Sequence, residues 1–138
     1  RNSILYEYLY LLASKFPRKT IPIQEKKISY VEEALRYMES NYADSVNIQV
    51  IADYLNIERT YLYRLFKDIT GVSPQEYLLD YRIRRACTLL RETSLPVGDI
   101  ARSVGYHDAM YFSRLFHQKK SCTPTRYRKE HIKDRKGN

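Results

Sequence analysis

The sequence repeats itself at an interval of about 50 residues, and this repeat constrains the fold more than any other feature. Residues 51–57 align with residues 100–106 at an offset of 49, and residues 61–66 align with residues 111–116 at an offset of 50. The offset of 50 also pairs residues 72–74 with residues 122–124, and Tyr77 with Tyr127. A fixed internal period indicates one supersecondary unit present twice. We therefore expect two equivalent subdomains.

Each copy predicts a short helix, a tight turn and a longer helix. Asn47 stands where it can cap the first short helix. Ala52 and Ala101 are small residues at positions where two helices would have to cross closely. Asn56 and Gly105 occupy the turns, and these two residue types best tolerate a left-handed backbone. The combination is typical of a helix-turn-helix, and two copies are far more specific than one.

A long helix is predicted between the copies. Ser73 is placed as its N-cap, Pro74 as its first residue, and Glu76 completes a capping box. The helix extends to about Glu92. An apolar stripe at helical spacing follows the cap, formed by Leu79, Ile83, Ala86 and Leu90.

The N-terminal part predicts two more helices. Residues 4–16 carry an apolar face at helical spacing, and the two prolines in residues 17–27 indicate a linker. The next helix is expected to begin near Ser29, with Glu32 in a capping box, and to end near Asn41.

Charge and composition limit the class of protein. Lys and Arg total 24 against 16 acidic residues, a formal net charge of +8, which favours a polyanionic partner such as nucleic acid. No stretch approaches the roughly 18 apolar residues of a spanning helix. Cys87 and Cys122 form neither a disulfide framework nor a zinc pattern, and are expected to be small core residues. We expect a soluble cytoplasmic protein with no membrane contact, cofactor or metal.

At these positions the sequence resembles the DNA-binding domain of the AraC/XylS family of bacterial transcription regulators. The resemblance covers about residues 28–131. It implies an all-α fold of seven helices, in which two helix-turn-helix subdomains are joined by the long central helix. It also implies that two recognition helices enter successive major grooves on one face of the duplex. The residues that carry it are 51–52, 61–67, 70–74, 77–78, 82–83, 86, 89–90, 100–101, 104–106, 111–116 and 123–124.

The resemblance also implies a domain organisation. Residues 28–72 are expected to form the first helix-turn-helix subdomain, 73–93 the central linker helix, 94–132 the second subdomain and 133–138 a basic tail. Regulators similar to this chain carry a separate sensor domain. Residues 1–27 are therefore expected to be a helix and linker from the end of a missing N-terminal sensor domain, through which the regulator would dimerise.

The candidate DNA contacts are the side chains on the outward faces of the two predicted recognition helices. Arg64 and Arg114 occupy equivalent places, and arginine can bond bidentately to guanine. Ala109 and Met110 suit apolar contact with thymine methyls. The alternative for the first face is an ordinary solvated surface, and the alternative for the two arginines is a structural salt bridge with a neighbouring helix. The first set is Arg59, Thr60, Tyr63, Arg64 and Lys67, and the second set is Asp108, Ala109, Met110, Ser113, Arg114 and His117.

Four positions depart from the family's usual pattern. Glu58 and His107 stand where a serine usually caps each recognition helix, so the geometry of the helix starts is open. Ser121 replaces a usual glycine, and His117 replaces a Lys or Arg that would contact a phosphate. The central-helix arginines, residues 82, 84, 85 and 91, are compatible either with phosphate contacts or with an ordinary surface.

The sequence leaves three functions to compare. The first is a sequence-specific DNA-binding module of a transcription regulator, with activation as the expected mode and double-stranded DNA and RNA polymerase as partners. The second is a helical protein-interaction module docking on an acidic partner, and the third is a DNA-repair enzyme fragment. Protein docking gives no reason for two recognition helices one turn of DNA apart, about 34 Å. No histidine stands in a metal spacing or beside a nucleophile, so no enzyme is predicted.

Overall fold

The apolar stripes of the sequence fold into helices throughout the part of the chain that the structure describes. This computed structural model describes residues 21–136, with side chains for residues 23–132; the predicted helix 4–16 lies outside them. The described residues contain seven helices and no strand, as the sequence predicts. The helices are α1 (Ile21–Asn41), α2 (Ile48–Leu55), α3 (Arg59–Thr70), α4 (Pro74–Glu92), α5 (Val97–Ser103), α6 (Ala109–Lys120) and α7 (Pro124–Lys136).

Helix α1 begins earlier than the sequence predicts. It starts at Ile21, so the predicted linker is wrong for residues 21–27, and Ser29 is not an N-cap. Pro22 fits the first turn because the first N–H groups of a helix have no intrahelical partner. Residues 24–27 are good helix formers, and Ile28 is buried in the core. The predicted end at Asn41 is confirmed.

The chain divides into two compact units. The described part of unit 1 comprises residues 21–41 and 46–77, and that of unit 2 comprises residues 42–45 and 78–136. The central helix α4 is thus shared, with its first turn in unit 1 and the remainder in unit 2. Residues 42–45, which connect α1 to α2, belong to unit 2 although both neighbouring helices belong to unit 1.

The core of unit 1 is built from α1, α2 and α3. From α1, Val31, Leu35 and Met38 are buried at the helical spacing that the sequence indicates. Phe66 of α3 packs edge-on against Tyr77, with ring centroids 5.9 Å apart. The Tyr77 hydroxyl, at the end of this apolar cluster, donates to the Glu39 carboxylate at 2.7 Å. This hydrogen bond satisfies the polar end of an otherwise buried ring.

The core of unit 2 is built from α4, α5 and α6. Its buried side chains confirm the predicted stripe of α4 at Ile83, Ala86 and Leu90, with Leu79 packed against it. Cys87 is also part of this core, and Cys122 packs against it, in agreement with the prediction. Burial raises the pKa of the Cys87 thiol. Buried side chains of α5 and α6 complete the cluster: Ile100, Ala101, Val104, Phe112 and Phe116.

Equivalent caps start α4 and α7. The Ser73 hydroxyl accepts from the Glu76 N–H at 3.1 Å, which confirms Ser73 as the N-cap. The Thr123 hydroxyl accepts from the Arg126 N–H at the same distance, 3.1 Å. Helix α7 then continues to Lys136, so the predicted basic tail is helical over residues 133–136. No helix of the described residues has the length and apolar character needed to cross a membrane.

Candidate nucleic-acid interface

The two helix-turn-helix turns have the backbone that the sequence indicates. Asn56 closes α2 with φ 60° and ψ 43°, in the left-handed region, and Gly105 has φ 105°. Ala52 and Ala101, the small residues before each turn, are fully buried. Asn47 caps α2 as predicted, with its side-chain oxygen accepting from the Val50 N–H at 2.9 Å. Each turn therefore fixes the direction of the helix that follows it.

Helix α3 separates an apolar face from a basic one. Leu62, Leu65 and Phe66 are buried, while Ile69 is half-buried. On the outward face, all five predicted residues lie together. Arg59, Thr60, Arg64 and Lys67 are exposed, and Tyr63 is half-buried.

The start of α3 has no side-chain cap. Glu58 is the N-cap residue, with an extended backbone, but its carboxylate makes no capping hydrogen bond. The sequence left the geometry of this helix start open. The first N–H groups of α3 therefore remain open to water or to an anion, which helix N-termini favour.

Helix α6 presents a more apolar outward face. Phe112 and Phe116 are buried, whereas Met110 is 74% exposed. Arg114 and His117 are exposed, and Ser113 is half-buried. The Arg114 guanidinium lies 5.7 Å from the centre of the Tyr111 ring.

Two residues of the predicted second set have roles inside the protein. Asp108, not His107, is the N-cap of α6, and its Oδ1 accepts from the N–H groups of Met110 at 2.9 Å and Tyr111 at 3.1 Å. Asp108 matches Glu58, the N-cap of α3, at the offset of 50, so the extra residue of the second copy lies before it. Ala109 packs against the core of unit 2. Ala109 is half-buried, and its expected contact with a thymine methyl stays a prediction.

Two central-helix arginines are committed to intramolecular contacts. Arg82 donates to the carbonyl oxygens of Tyr42 at 2.7 Å and Asp44 at 2.9 Å. Arg91 donates to the Tyr127 hydroxyl at 2.7 Å. The sequence did not identify these roles, since their partners lie about 40 residues away.

The other two central-helix arginines lie on the surface of unit 2. The guanidinium of Arg84 lies 5.5 Å from the centre of the Tyr81 ring, and that of Arg85 lies 5.8 Å from the centre of the Tyr42 ring. Both arginines are exposed. Among the described residues, no group of three or more His, Cys, Asp or Glu side chains is placed to hold a metal ion.

Comparison with known proteins places these features in a family. A family model described as a helix-turn-helix domain matches residues 51–130. The chain is 36% identical over 125 residues to the lactose operon transcription activator of Staphylococcus xylosus. The matched residues make up 90% of this chain and 44% of the activator. The chain spans less than half the length of the first curated relatives that it matches.

Solved structures agree with this match. The C-terminal domain of AraT, a response regulator from Geobacillus stearothermophilus, is 31% identical with a TM-score of 0.72, covering 73% of this chain and 84% of that domain. The DNA-binding domain of AdpA, solved in complex with a target DNA, shares the fold at 19% identity and a TM-score of 0.73, covering 78% of this chain and 97% of that domain. The chain belongs to the AraC family of helix-turn-helix transcription regulators.

Proposed function

We propose that this chain is the sequence-specific DNA-binding module of a bacterial transcription regulator, with α3 and α6 as its recognition helices. The observation that carries the proposal is the duplicated helix-turn-helix. In each copy, the second helix buries one face in its own core and presents arginine and polar side chains to solvent. The AraC resemblance assigns these two helices to successive major grooves. The alternative of a docking module for an acidic protein partner is not favoured, since the related proteins are transcription regulators.

The outward residues divide by chemistry into base readers and phosphate contacts. Arg64 and Arg114 hold equivalent exposed positions, and we assign both to base edges, where arginine pairs with guanine. Met110 is assigned to a thymine methyl, because so exposed an apolar side chain gains from burial in a groove. Lys67 is assigned to a phosphate, as a flexible point charge. Further contacts are assigned to Arg59, Thr60, Tyr63, Ser113 and His117.

The two helices are proposed to contribute differently. Helix α3 combines three cationic side chains, Arg59, Arg64 and Lys67, with open N–H groups at its start. Helix α6 has the capping carboxylate of Asp108 at its start and Met110 beside it. A carboxylate stands at the start of both helices, Glu58 in α3 and Asp108 in α6, so the cationic side chains make the difference between them. We therefore assign more of the non-specific affinity to α3 and more apolar discrimination to α6.

The context of the module follows from the resemblance and from the names of its relatives. The relatives include operon regulators and activators, so we propose that the full-length protein activates transcription by contact with RNA polymerase in the cytoplasm. A sensor domain preceding residues 1–27 would pair two copies. Tethering then raises the effective concentration of the second module at an adjacent operator site.

Titration of promoter fragments with the purified protein tests the proposal. Fragments from the neighbourhood of the gene should include one with two half-sites in direct repeat that binds far more tightly than a shuffled duplex of equal length and composition. With about 6 phosphates contacted, log K should fall against log[salt] with a slope near −5. Equal affinity for all duplexes would refute sequence-specific binding, and a flat salt dependence would refute the assigned phosphate contacts.

A further inference from the structure

The guanidinium of Arg82 joins three parts of unit 2. Its Nε donates to the carbonyl oxygen of Tyr42 at 2.7 Å, and its Nη2 donates to that of Asp44 at 2.9 Å. Its Cζ lies over the ring of Tyr106, 5.0 Å from the ring centre. Arg82 therefore holds the segment 42–45 on one side and the α5–α6 turn on the other.

Tyr106 connects Arg82 to the recognition helix α6. Its ring lies 6.1 Å from that of Tyr111 and 5.8 Å from that of Phe112, both in the first turn of α6. Phe112 is fully buried and continues the aromatic contacts to Phe116, with ring centroids 5.9 Å apart. One aromatic side chain thus separates the Arg82 guanidinium from the start of α6.

The α5–α6 turn leaves no free space beside Arg82. A Cβ atom built on Gly105 would lie 2.9 Å from the Tyr42 carbonyl oxygen and 3.1 Å from Cζ of Arg82. Gly105 also has φ 105°, a conformation that other residues rarely adopt. The backbone of the turn, the Tyr42 carbonyl and the guanidinium are therefore packed directly on one another.

We propose that Arg82 is a positioning residue for DNA recognition, which sets the orientation of α6 through Tyr106 and the α5–α6 turn. The inference rests on the proposed function of α6. Base recognition requires side-chain placement to within about 0.5 Å, so a small rotation of α6 displaces Met110 and Arg114 from base edges. Arginine suits this role because its planar fork gives two fixed donors together with a face for stacking. Lysine has neither the fork nor the face.

This role differs from the phosphate contact that is the other possibility for a central-helix arginine. Two of the Arg82 donor nitrogens are directed at backbone carbonyls of its own chain. Arg84 lies two residues further along the same helix, is exposed, and carries the same charge without these hydrogen bonds to the 42–45 segment. Arg84→Ala is therefore the matched control for loss of charge from α4.

The first test compares discrimination at the two major-groove segments of one binding site, which we call the α3 half-site and the α6 half-site after the helix proposed to read each. Affinities of wild type, Arg82→Lys, Arg82→Ala and Arg84→Ala are measured on the intact operator and on operators with either half-site mutated. Discrimination is the ratio of affinities for the intact operator and for an operator with one half-site mutated. In the Arg82 variants this ratio should fall about tenfold for the α6 half-site and stay within about twofold of wild type for the α3 half-site. Arg84→Ala should change neither. A wild type that ignores both half-site mutations would refute the proposed function itself.

Two further outcomes would overturn the positioning role. Arg82→Lys with full discrimination would show that charge alone suffices. A salt slope smaller by about 1 in Arg82→Ala, with base preference intact, would identify a phosphate contact. Equal loss of affinity at both half-sites would point to general loss of folded protein, which the melting curve of each variant checks independently.

The second test needs no DNA. Amide hydrogen exchange of the free protein should be faster over residues 105–112 in Arg82→Lys, while α3 exchanges as in wild type. Gly105→Ala should give the same local change, and the double variant should show less than the sum of the two effects because both act on one contact. Unchanged exchange over residues 105–112, or additive effects of the two substitutions, would refute the proposal.

Discussion

Ser121 has a backbone conformation that costs stability, so its replacement by glycine should stabilise the protein. It ends α6 with φ 63° and ψ 18°, and its N–H donates to the His117 carbonyl oxygen at 2.8 Å. Gly71 ends α3 at the equivalent place with φ 84°. The left-handed region costs an L-residue about 1–2 kcal/mol. Glycine removes this strain, but it also lowers stability by about 0.4–1 kcal/mol because it makes the unfolded chain more flexible. Ser121→Gly should therefore increase the free energy of unfolding by about 0.5–1 kcal/mol.

Urea and thermal unfolding followed by circular dichroism measure this gain. For a domain of about 60–100 residues, 1 kcal/mol shifts Tm by about 4–8 °C, so the transition of unit 2 should rise by about 2–8 °C. The urea midpoint should rise without a change in m-value, since the surface exposed on unfolding is the same.

Two further variants separate the backbone effect from other causes. Ser121→Ala removes the hydroxyl but keeps Cβ, so it should give no such gain. Gly71→Ala makes the reverse change after α3, where an added Cβ would meet nothing within 4 Å, so its expected loss of about 1 kcal/mol comes from φ alone. The reasoning fails if Ser121→Gly is neutral, or if Ser121→Ala stabilises the protein as much.

Three other predictions concern the cap of α6, the proposed DNA contacts and the buried thiol of Cys87. Asp108→Ala should cost about 1 kcal/mol of unfolding free energy through the lost cap. Asp108→Asn should keep the cap and tighten binding to any DNA; weaker binding would exclude repulsion by the carboxylate. Arg64→Ala and Arg114→Ala should each cost about 1–3 kcal/mol on the operator, measured by titration, whereas Lys67→Ala should weaken operator and random DNA alike; equal losses in all three would contradict the assignments. Because burial raises the pKa of the Cys87 thiol, stability should fall as pH rises above about 8.5, where the unfolded thiol ionises first, and Cys87→Ala should flatten this decline in urea titrations; an unchanged slope would assign the decline to other groups.

Local signals in the sequence were sufficient for most of the helices and for which side chains of α3 and α6 are buried or exposed. The caps at Asn47 and Ser73 act on N–H groups three residues away, so residue type and spacing were enough to predict them. The apolar stripe of α4 gave its buried face, because the helical period alone decides which side chains share a face. The outward positions of Arg64 and Arg114 followed from the same period and from the repeat.

Helix starts were harder to predict because competing local signals differ by little free energy. Ser29 and Glu32 have the spacing of a capping box, yet α1 continues through both from Ile21. A cap is worth about 1 kcal/mol, and burial of Ile28 offers a comparable gain. At α6, the repeat changes its offset between residues 106 and 111, which left both His107 and Asp108 as possible caps, and the structure has Asp108.

Only the tertiary structure decided what the central-helix arginines do. Arg82 meets Tyr42, and Arg91 meets Tyr127, across separations of 40 and 36 residues. No periodicity along one helix encodes such a partner, since the contact exists only after another segment has been placed beside it. The segment 42–45 joined unit 2 for the same reason, although its neighbours on both sides belong to unit 1. The sequence determined which faces are apolar and where the chain turns, whereas the packing of distant segments determined that Arg82 and Arg91 are hydrogen-bonded within the protein.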